Sequence, residues 1–510
     1  MKTPSILVIF LTFLLSCKKQ SGDPTPPQPP PRLFPTVSID SIFRLEFDDI
    51  SIAASYQNPG ADSVLKTGFC WGTSQNPDTT NLARTILPVN SFSDTINDVG
   101  RRKTFYFRAF IKTSDSVYYS QNATIVTGDL ENDFYKEVDD GTNRGIIEVL
   151  RSDDNHFIEF IQVYGNQYSW PQVAKIDLAG NVEWKYEYNP GESRQPSRIL
   201  KVQDGYLFAT IKWMPGARGV FVTKIDLNGS KIWEKSFNRK TSQEFVRIAS
   251  LTGTTVILTT KAFDGITADG IRSNCSINDF VIDLNGNLIS EKEAPVTNKF
   301  TQGSYAFYTA SVPNDGFVTT NYFSSSGPAD VIVQKYDSQN QLTWEQMEQV
   351  EGSDRNGSDR ENYPMGLFIS KGGNYNILGY TPASTESRAW LMEVDKNNGN
   401  KVWEYLYDKN KYGFHIYTIP YGFYQNTAGQ YFVTGTLSDN SFPGANTFLL
   451  KLNEAGKKQW SHAYQNPKGP ITRANVILTE GTNGIYVFGS RIENQSSFSN
   501  SLFVAKFTEY

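Results

Sequence analysis

One short module constrains this chain more than any other feature. At 224–237 it reads KIDLNGSKIWEKSF. Two runs of alternating apolar and polar residues flank an Asp-x-x-Gly turn, with Trp233 in the second run. Alternation is the mark of a half-buried strand, and the Asp/Asn/Gly cluster supplies the turn between two strands. The module returns as KIDLAGNVEWKYEY from Lys175, VIDLNGNLISEKEA from Val281 and KYDSQNQLTWEQME from Lys335. It returns again as EVDKNNGNKVWEYLY from Glu393, KLNEAGKKQWSHAY from Lys451 and a short KFTEY from Lys506. The starts lie 49, 57, 54, 58, 58 and 55 residues apart, so the chain is a repeat protein.

Ahead of each module sits a further strand pair about a tight turn, such as ILKVQDGYLFATI at 199–211 and YQNTAGQYFVTGTL at 424–437. Each repeat therefore holds four strands, the composition of a propeller blade. In the first repeat they are expected near 146–151, 157–163, 173–178 and 182–188. The last repeat lacks a fourth strand, and Asp133–Val138 looks like an orphan one with Phe134 in the Trp position. The expectation is an all-β chain whose residues 129–510 form a seven-bladed β-propeller closed by this N-terminal strand, because closure removes open edges. The repeated Asp177, Asp226, Asp283, Asp337 and Asp395 read as turn residues bonding the turn's own N–H groups. The repeated Trp184, Trp233, Trp344, Trp403 and Trp460 read as packing between blades. Ser290 takes that position in the third repeat, which should pack least well.

The remaining chain divides by composition. Residues 1–16 form a signal segment: Lys2, then an apolar run at 6–15 that is too short to span a bilayer, then Leu14-Leu15-Ser16-Cys17. This resembles a bacterial lipobox, which implies lipidation of Cys17 and an outer-membrane location. Residues 17–35 are Pro-rich, as in PTPPQPPPRLFP, and read as a tether, since proline fixes φ and removes a donor. Residues 36–128 read as a small β domain with its clearest strand at Phe105–Lys112. There Phe105, Phe107, Ala109 and Ile111 share one face and Tyr106, Arg108, Phe110 and Lys112 the other. GFCWGTSQNP at 68–77 and this FYFRAF strand resemble the fibronectin type III-like domains of Bacteroidota surface lipoproteins. That resemblance implies a β-sandwich with Cys70 and Trp71 in its core. The repeats resemble the quinoprotein-like and WD40-like propellers found in such lipoproteins. The related quinone enzymes use eight blades, bound calcium and adjacent cysteines, which this chain lacks, so no cofactor is expected.

With 48 basic and 53 acidic residues, the chain lacks the basic footprint of a nucleic-acid binder. Three Cys and three His, widely spaced, draw no metal site or nucleophile–base set. The connections between strands B and C, and between D and the next A, look long and irregular. Irregular segments on a rigid scaffold are where binding usually lives. Candidate ligand contacts there are Trp170, Trp213, Arg194, Arg360, Tyr363, His415 and Arg473. The expected partner is a glycan or a surface protein, met by a non-catalytic, lipid-anchored binding protein. The alternatives are a hydrolase or lyase of extracellular polysaccharide, for which Glu244, Glu361 and His415 are the raw material, and a structural subunit of an outer-membrane assembly.

Overall fold

The computed structural model describes residues 34–510 except 45–48, 59–62, 139–141, 189–190, 215–216, 267–271, 296–307, 313–314, 324–329, 351–361, 383–386, 408–415, 440–445, 465–471, 482 and 495–498. The alternation becomes strand throughout, and among the described residues there is no helix. Contacts divide the chain into two units. One takes in Ala53–Phe92 and Phe107–Ala123; the other takes in Ser41–Ile52, Ser93–Tyr106 and Thr124–Tyr510.

Ahead of Leu130, strand Lys66–Gly72 pairs antiparallel with Leu82–Ile86, and Thr104–Lys112 pairs with Val117–Tyr119. Thr36–Arg44, Ile50–Gln57 and Ser91–Ile96 form a separate three-stranded sheet. Phe105, Phe107, Ala109 and Ile111 are buried as their shared face requires, while Lys112 is exposed. Phe110 departs from the alternation: it is buried too, because its ring covers Gly68 and lies against Tyr119. Cys70 is buried with its Sγ 3.3 Å from the Pro77 carbonyl, and burial pushes its thiol up to about 11. Trp71 is half-buried and stacks on Phe107.

In the larger unit the strands pair antiparallel in successive groups of four, here called A to D in pairing order. The first sheet is Asn143–Arg151, Phe157–Tyr164, Ser169–Ile176 and Val182–Glu187. The second is Arg194–Val202, Gly205–Met214, Ala217–Ile225 and Lys231–Ser236. The third is Ser242–Ser250, Thr255–Phe263, Ser276–Asp283 and Leu288–Pro295; the fourth is Tyr308–Ser311, Phe317–Phe323, Asp330–Tyr336 and Leu342–Glu348. The fifth is Tyr363–Ile369, Tyr375–Pro382, Ser387–Val394 and Lys401–Leu406; the sixth is Ile416–Gln425, Tyr431–Asp439, Asn446–Leu452 and Lys458–Tyr464. The last sheet takes Thr472–Glu480, Gly484–Asn494 and Ser499–Glu509 from the end of the chain. Its strand D is Leu130–Val138, antiparallel to Ser499–Glu509. Consecutive four-stranded antiparallel sheets of this kind are β-propeller construction.

The register explains the repeated Trp. Trp184 lies opposite Lys175, Trp233 opposite Lys224, Trp344 opposite Lys335, Trp403 opposite Glu393 and Trp460 opposite Lys451. Ser290 lies opposite Val281, and Phe134 opposite Lys506, so both hold the same slot. Each indole reaches into the following sheet. Trp184 lies over Gly229, and Trp233 donates its N–H to Leu284 O at 3.0 Å. Trp344 donates to Lys396 O, and Trp460 donates to Glu509. A Cβ on Gly229, Gly399 or Gly456 would stand 2.5, 2.6 or 2.4 Å from the preceding sheet's indole. These turn positions also have φ of 83, 76 and 73°, so glycine is required twice over. The turn Asp does its expected work: Asp226 Oδ1 accepts the N–H groups of Asn228 and Ser230 at 2.9 and 2.8 Å.

Between neighbouring sheets the core is apolar. Phe160 of the first sheet meets Phe208 of the second; Val222 of the second clusters with Val256 and Ile282 of the third. Val333 clusters with Ile377, Leu391 with Phe448, and Phe432 with Ile485. Phe157 of the first sheet packs on Tyr486 and Phe488 of the last, at 4.8 and 4.9 Å between ring centres.

Candidate functional site

Strand A carries a one-residue irregularity in most sheets: between Ile146 and Glu148, Pro196 and Arg198, Phe245 and Arg247, Pro364 and Gly366, Pro420 and Gly422, and Ala474 and Val476. A bulge leaves one residue unpaired and re-aims its side chain. In the sixth sheet that residue is Tyr421. Burial pushes its phenol upward, and the Arg473 guanidinium of the last sheet opposes this. Tyr164 of the first sheet, at the end of strand B, is shifted in the same way, with Arg473 again opposing. Its hydroxyl lies over Gly145, and the residue is 42% exposed. Burial likewise raises Tyr308 of the fourth sheet; Arg198 of the second lowers it and Tyr421 of the sixth raises it further. Electrostatic pairs thus link Arg473 to Tyr164 and Tyr421, and Tyr308 to Arg198 and Tyr421. Arg198 is itself paired with Glu148 at 3.2 Å, and the second Glu148 oxygen accepts the N–H of Ile199 at 3.0 Å.

Two residues before the first five of these irregularities lie Arg144, Arg194, Gln243, Asn362 and Thr418, all buried. Gln243 accepts from Thr260 and Asn362 from Thr381. Arg194 Nη1 and Thr418 Oγ1 find no hydrogen-bond partner among the described residues. Buried polar atoms in a native fold are normally satisfied by protein, water or ligand. Glu159, on the face of the first sheet toward the last, is pushed up to about 7 by burial, with Arg144 opposing.

The structure relocates several residues expected on loops. Trp170 is the second residue of strand Ser169–Ile176. It is half-buried, folds over Gly165, donates its N–H to Glu187 at 3.0 Å and packs on the core shared with the last sheet. Trp213 stands in strand Gly205–Met214, its backbone opposite Arg218. The B–C connections of these two sheets are short, not long: strand B ends at Tyr164 or Met214, and strand C resumes at Ser169 or Ala217. Arg194 opens strand A of the second sheet and is 3% exposed. Glu192 holds it at 2.6 Å, and its guanidinium lies 3.7 Å from the Phe221 ring centre. Tyr363 begins strand A of the fifth sheet and stacks on Tyr380 at 5.3 Å. Arg473 is exposed on strand A of the last sheet. Glu244 pairs with Arg218 at 3.2 Å. Arg360, His415, Glu361 and Cys17 lie outside the described residues. Of the candidates, Arg473 is the one around which other groups converge. Its neighbours Tyr164 and Tyr421 escaped the sequence reading, although Pro420 and Gly422 flanking Tyr421 are a signal for a bulge.

Neither a protein-family model nor any curated protein matches the sequence. Among solved structures the chain is similar to the phage phi92 endosialidase, at 10% identity and a TM-score of 0.40, covering 76% of this chain and 71% of that one. It is similar to the Synechocystis apocarotenoid oxygenase, at 11% identity and a TM-score of 0.36, covering 86% and 95%. It is similar also to an exo-β-1,3-galactanase from Bifidobacterium bifidum, at 8% identity and a TM-score of 0.31, covering 52% and 87%. At these scores the likenesses assign no activity.

Proposed function

We propose that the protein is a lipid-anchored, non-catalytic surface protein in which a fibronectin type III-like domain precedes a closed seven-bladed propeller. Its ligand is a glycan or a surface protein, bound where strands A converge. Closure is supported by the pairing of Leu130–Val138 with Ser499–Glu509 and by the core that joins the first sheet to the last. The anchor rests on the LLSC sequence ending at Cys17. The observation that carries the binding site is Arg473, exposed and within electrostatic reach of both Tyr164 and Tyr421. A cation beside two phenols offers donors and flat faces, the chemistry that hydroxyl-rich and anionic ligands use. The test is binding of lipid-free 18–510 to a glycan array and to outer-membrane extracts. Arg473→Ala and Tyr421→Phe should weaken the ligand found by about tenfold or more, or roughly 1–3 kcal/mol, without moving the melting transition. Parent-like binding by both variants would reject the site.

A hydrolase reading has one observation in its favour. Glu159, pushed up to about 7, is a carboxyl still protonated near neutral pH, as a general acid must be. Against it, Glu159 is 6% exposed and faces a seam between sheets. Polysaccharide cleavage by the parent that is lost in Glu159→Gln would establish that reading.

A further inference from the structure

The seam between the third and fourth sheets breaks the slot pattern twice, the third sheet in the slot itself and the fourth in its turn. Where five other sheets set Trp, and the last sets Phe134, opposite Lys or Glu, the third sets Ser290 opposite Val281. The following turn changes in step. The position held by Gly229, Gly286, Gly399 and Gly456 is Asn340 in the fourth sheet, still at a positive φ of 60°. A Cβ on Gly286 would stand 3.0 Å from the Trp233 ring, so a side chain at this position points into the preceding sheet's slot. Asn340 therefore carries its amide toward the place an indole would fill. It is 5% exposed, and neither its Oδ1 nor its Nδ2 has a partner among the described residues.

Space remains at this seam. A cavity of about 520 Å³ is lined by Val281, Ser290, Val312, Ser338, Arg247 and Asp279, among others. That volume lies in the range of small-ligand sites. Arg247 and Asp279 are 7% and 6% exposed. Arg247 Nε donates to Thr259 Oγ1 at 2.9 Å and Nη1 to Gly316 O at 2.8 Å, while Thr259 Oγ1 donates to Asp279 at 2.5 Å. These bonds hold both charged groups rigidly at the cavity wall. Among the described residues these bonds leave Arg247 Nη2 and Asp279 Oδ2 with hydrogen-bonding capacity, while the guanidinium lies 4.7 Å from the Phe317 ring centre.

We infer that this seam is a saccharide site, taking one or two sugar rings between the third and fourth sheets, separate from Arg473. An aromatic ring would fill the space but offer no partner for the remaining hydrogen-bonding capacity of Arg247 and Asp279, which line it. A water-filled cleft would leave Val281 and Val312 facing solvent. A sugar meets both demands: each hydroxyl donates and accepts, while ring C–H faces cover the apolar wall. The site is independent of the mouth proposed above.

The experiment is saturation-transfer NMR of the lipid-free chain with glucose, galactose, mannose, N-acetylglucosamine and cellobiose as probes, and indole as the apolar control. At least one sugar should bind saturably, and indole should not. The double variant Ser290→Trp/Asn340→Gly, which fills the slot as the neighbouring seams do, should lose that binding at least tenfold and keep its cooperative melting. Ser290→Leu, which narrows the cavity without touching Asn340, should weaken the same sugar if the double variant misfolds. Arg473→Ala should leave this binding unchanged. The inference is overturned if no sugar binds, if indole alone binds, if sugar binding survives both slot variants, or if Arg473→Ala removes it.

Discussion

The seam between the second and third sheets and the seam between the third and fourth are built on the same register and end differently. In the first, Trp233 lies over Gly286 and its N–H reaches Leu284 O. In the second, Ser290 and Asn340 hold the corresponding places, and a cavity of about 520 Å³ stands there. Lys235 Nζ reaches the carbonyls of Asn285 and Gly286 across one seam, and Lys292 reaches Ser338 O and Gln339 across the other. The polar bridge is kept while the aromatic filling is lost. In a repeat fold, a packing residue can thus be given up at one seam without giving up the seam.

Three changes sharpen this comparison. Trp233→Ser should open the second seam and lower stability by about 2–4 kcal/mol in denaturant unfolding, less than a fully enclosed Trp because this one is half-buried. A loss below about 0.5 kcal/mol would mean the slot carries little packing.

The seam between the first and last sheets holds Glu159, pushed up to about 7. The folded state favours its neutral form. Its stabilising contribution is therefore complete below the unfolded carboxyl range and is lost as pH rises through about 7. Over that window the difference should be on the order of 2 kcal/mol, and Glu159→Gln should remove it, as read from melting at pH 5 and pH 8.

Filling the third slot with Ser290→Trp/Asn340→Gly should add roughly 1–2 kcal/mol. Ser290→Trp alone should destabilise, because Asn340 stands where the other seams have glycine. Equal stability for the single and double variants would break the proposed coupling of the two positions.

The slot was legible because strand alternation has a period of two and the turn Asp and Gly fix where each pair begins. That is why Phe134 and Ser290 could be placed in the slot from the sequence alone. The ends of the strands were harder to see. Pro171 made Ser169–Ile176 look like a loop at its start, yet it pairs opposite Gln162. Pro215 and Gly216 signalled a turn, but Trp213 before them still lies within a strand. The binding candidates scattered because the strand A irregularities that re-aim Tyr421 leave no period in the sequence. Arg194 reads as a loop cation, yet Phe221 and Glu192 enclose it, contacts that alternation cannot reveal.

The central claim is that one slot register runs through every sheet, with Phe134 of Leu130–Val138 serving the last one. The direct measurement is a cross-link between Lys136→Cys and Val504→Cys, which lie opposite each other in that register. Facing residues of an antiparallel pair stand about 4.5–5.5 Å apart, within disulfide reach. Mild oxidation should join the two cysteines, and peptide mapping should recover one disulfide-linked peptide pair from 130–138 and 499–509. Thiols that stay free, while each single variant folds normally, would contradict the claim.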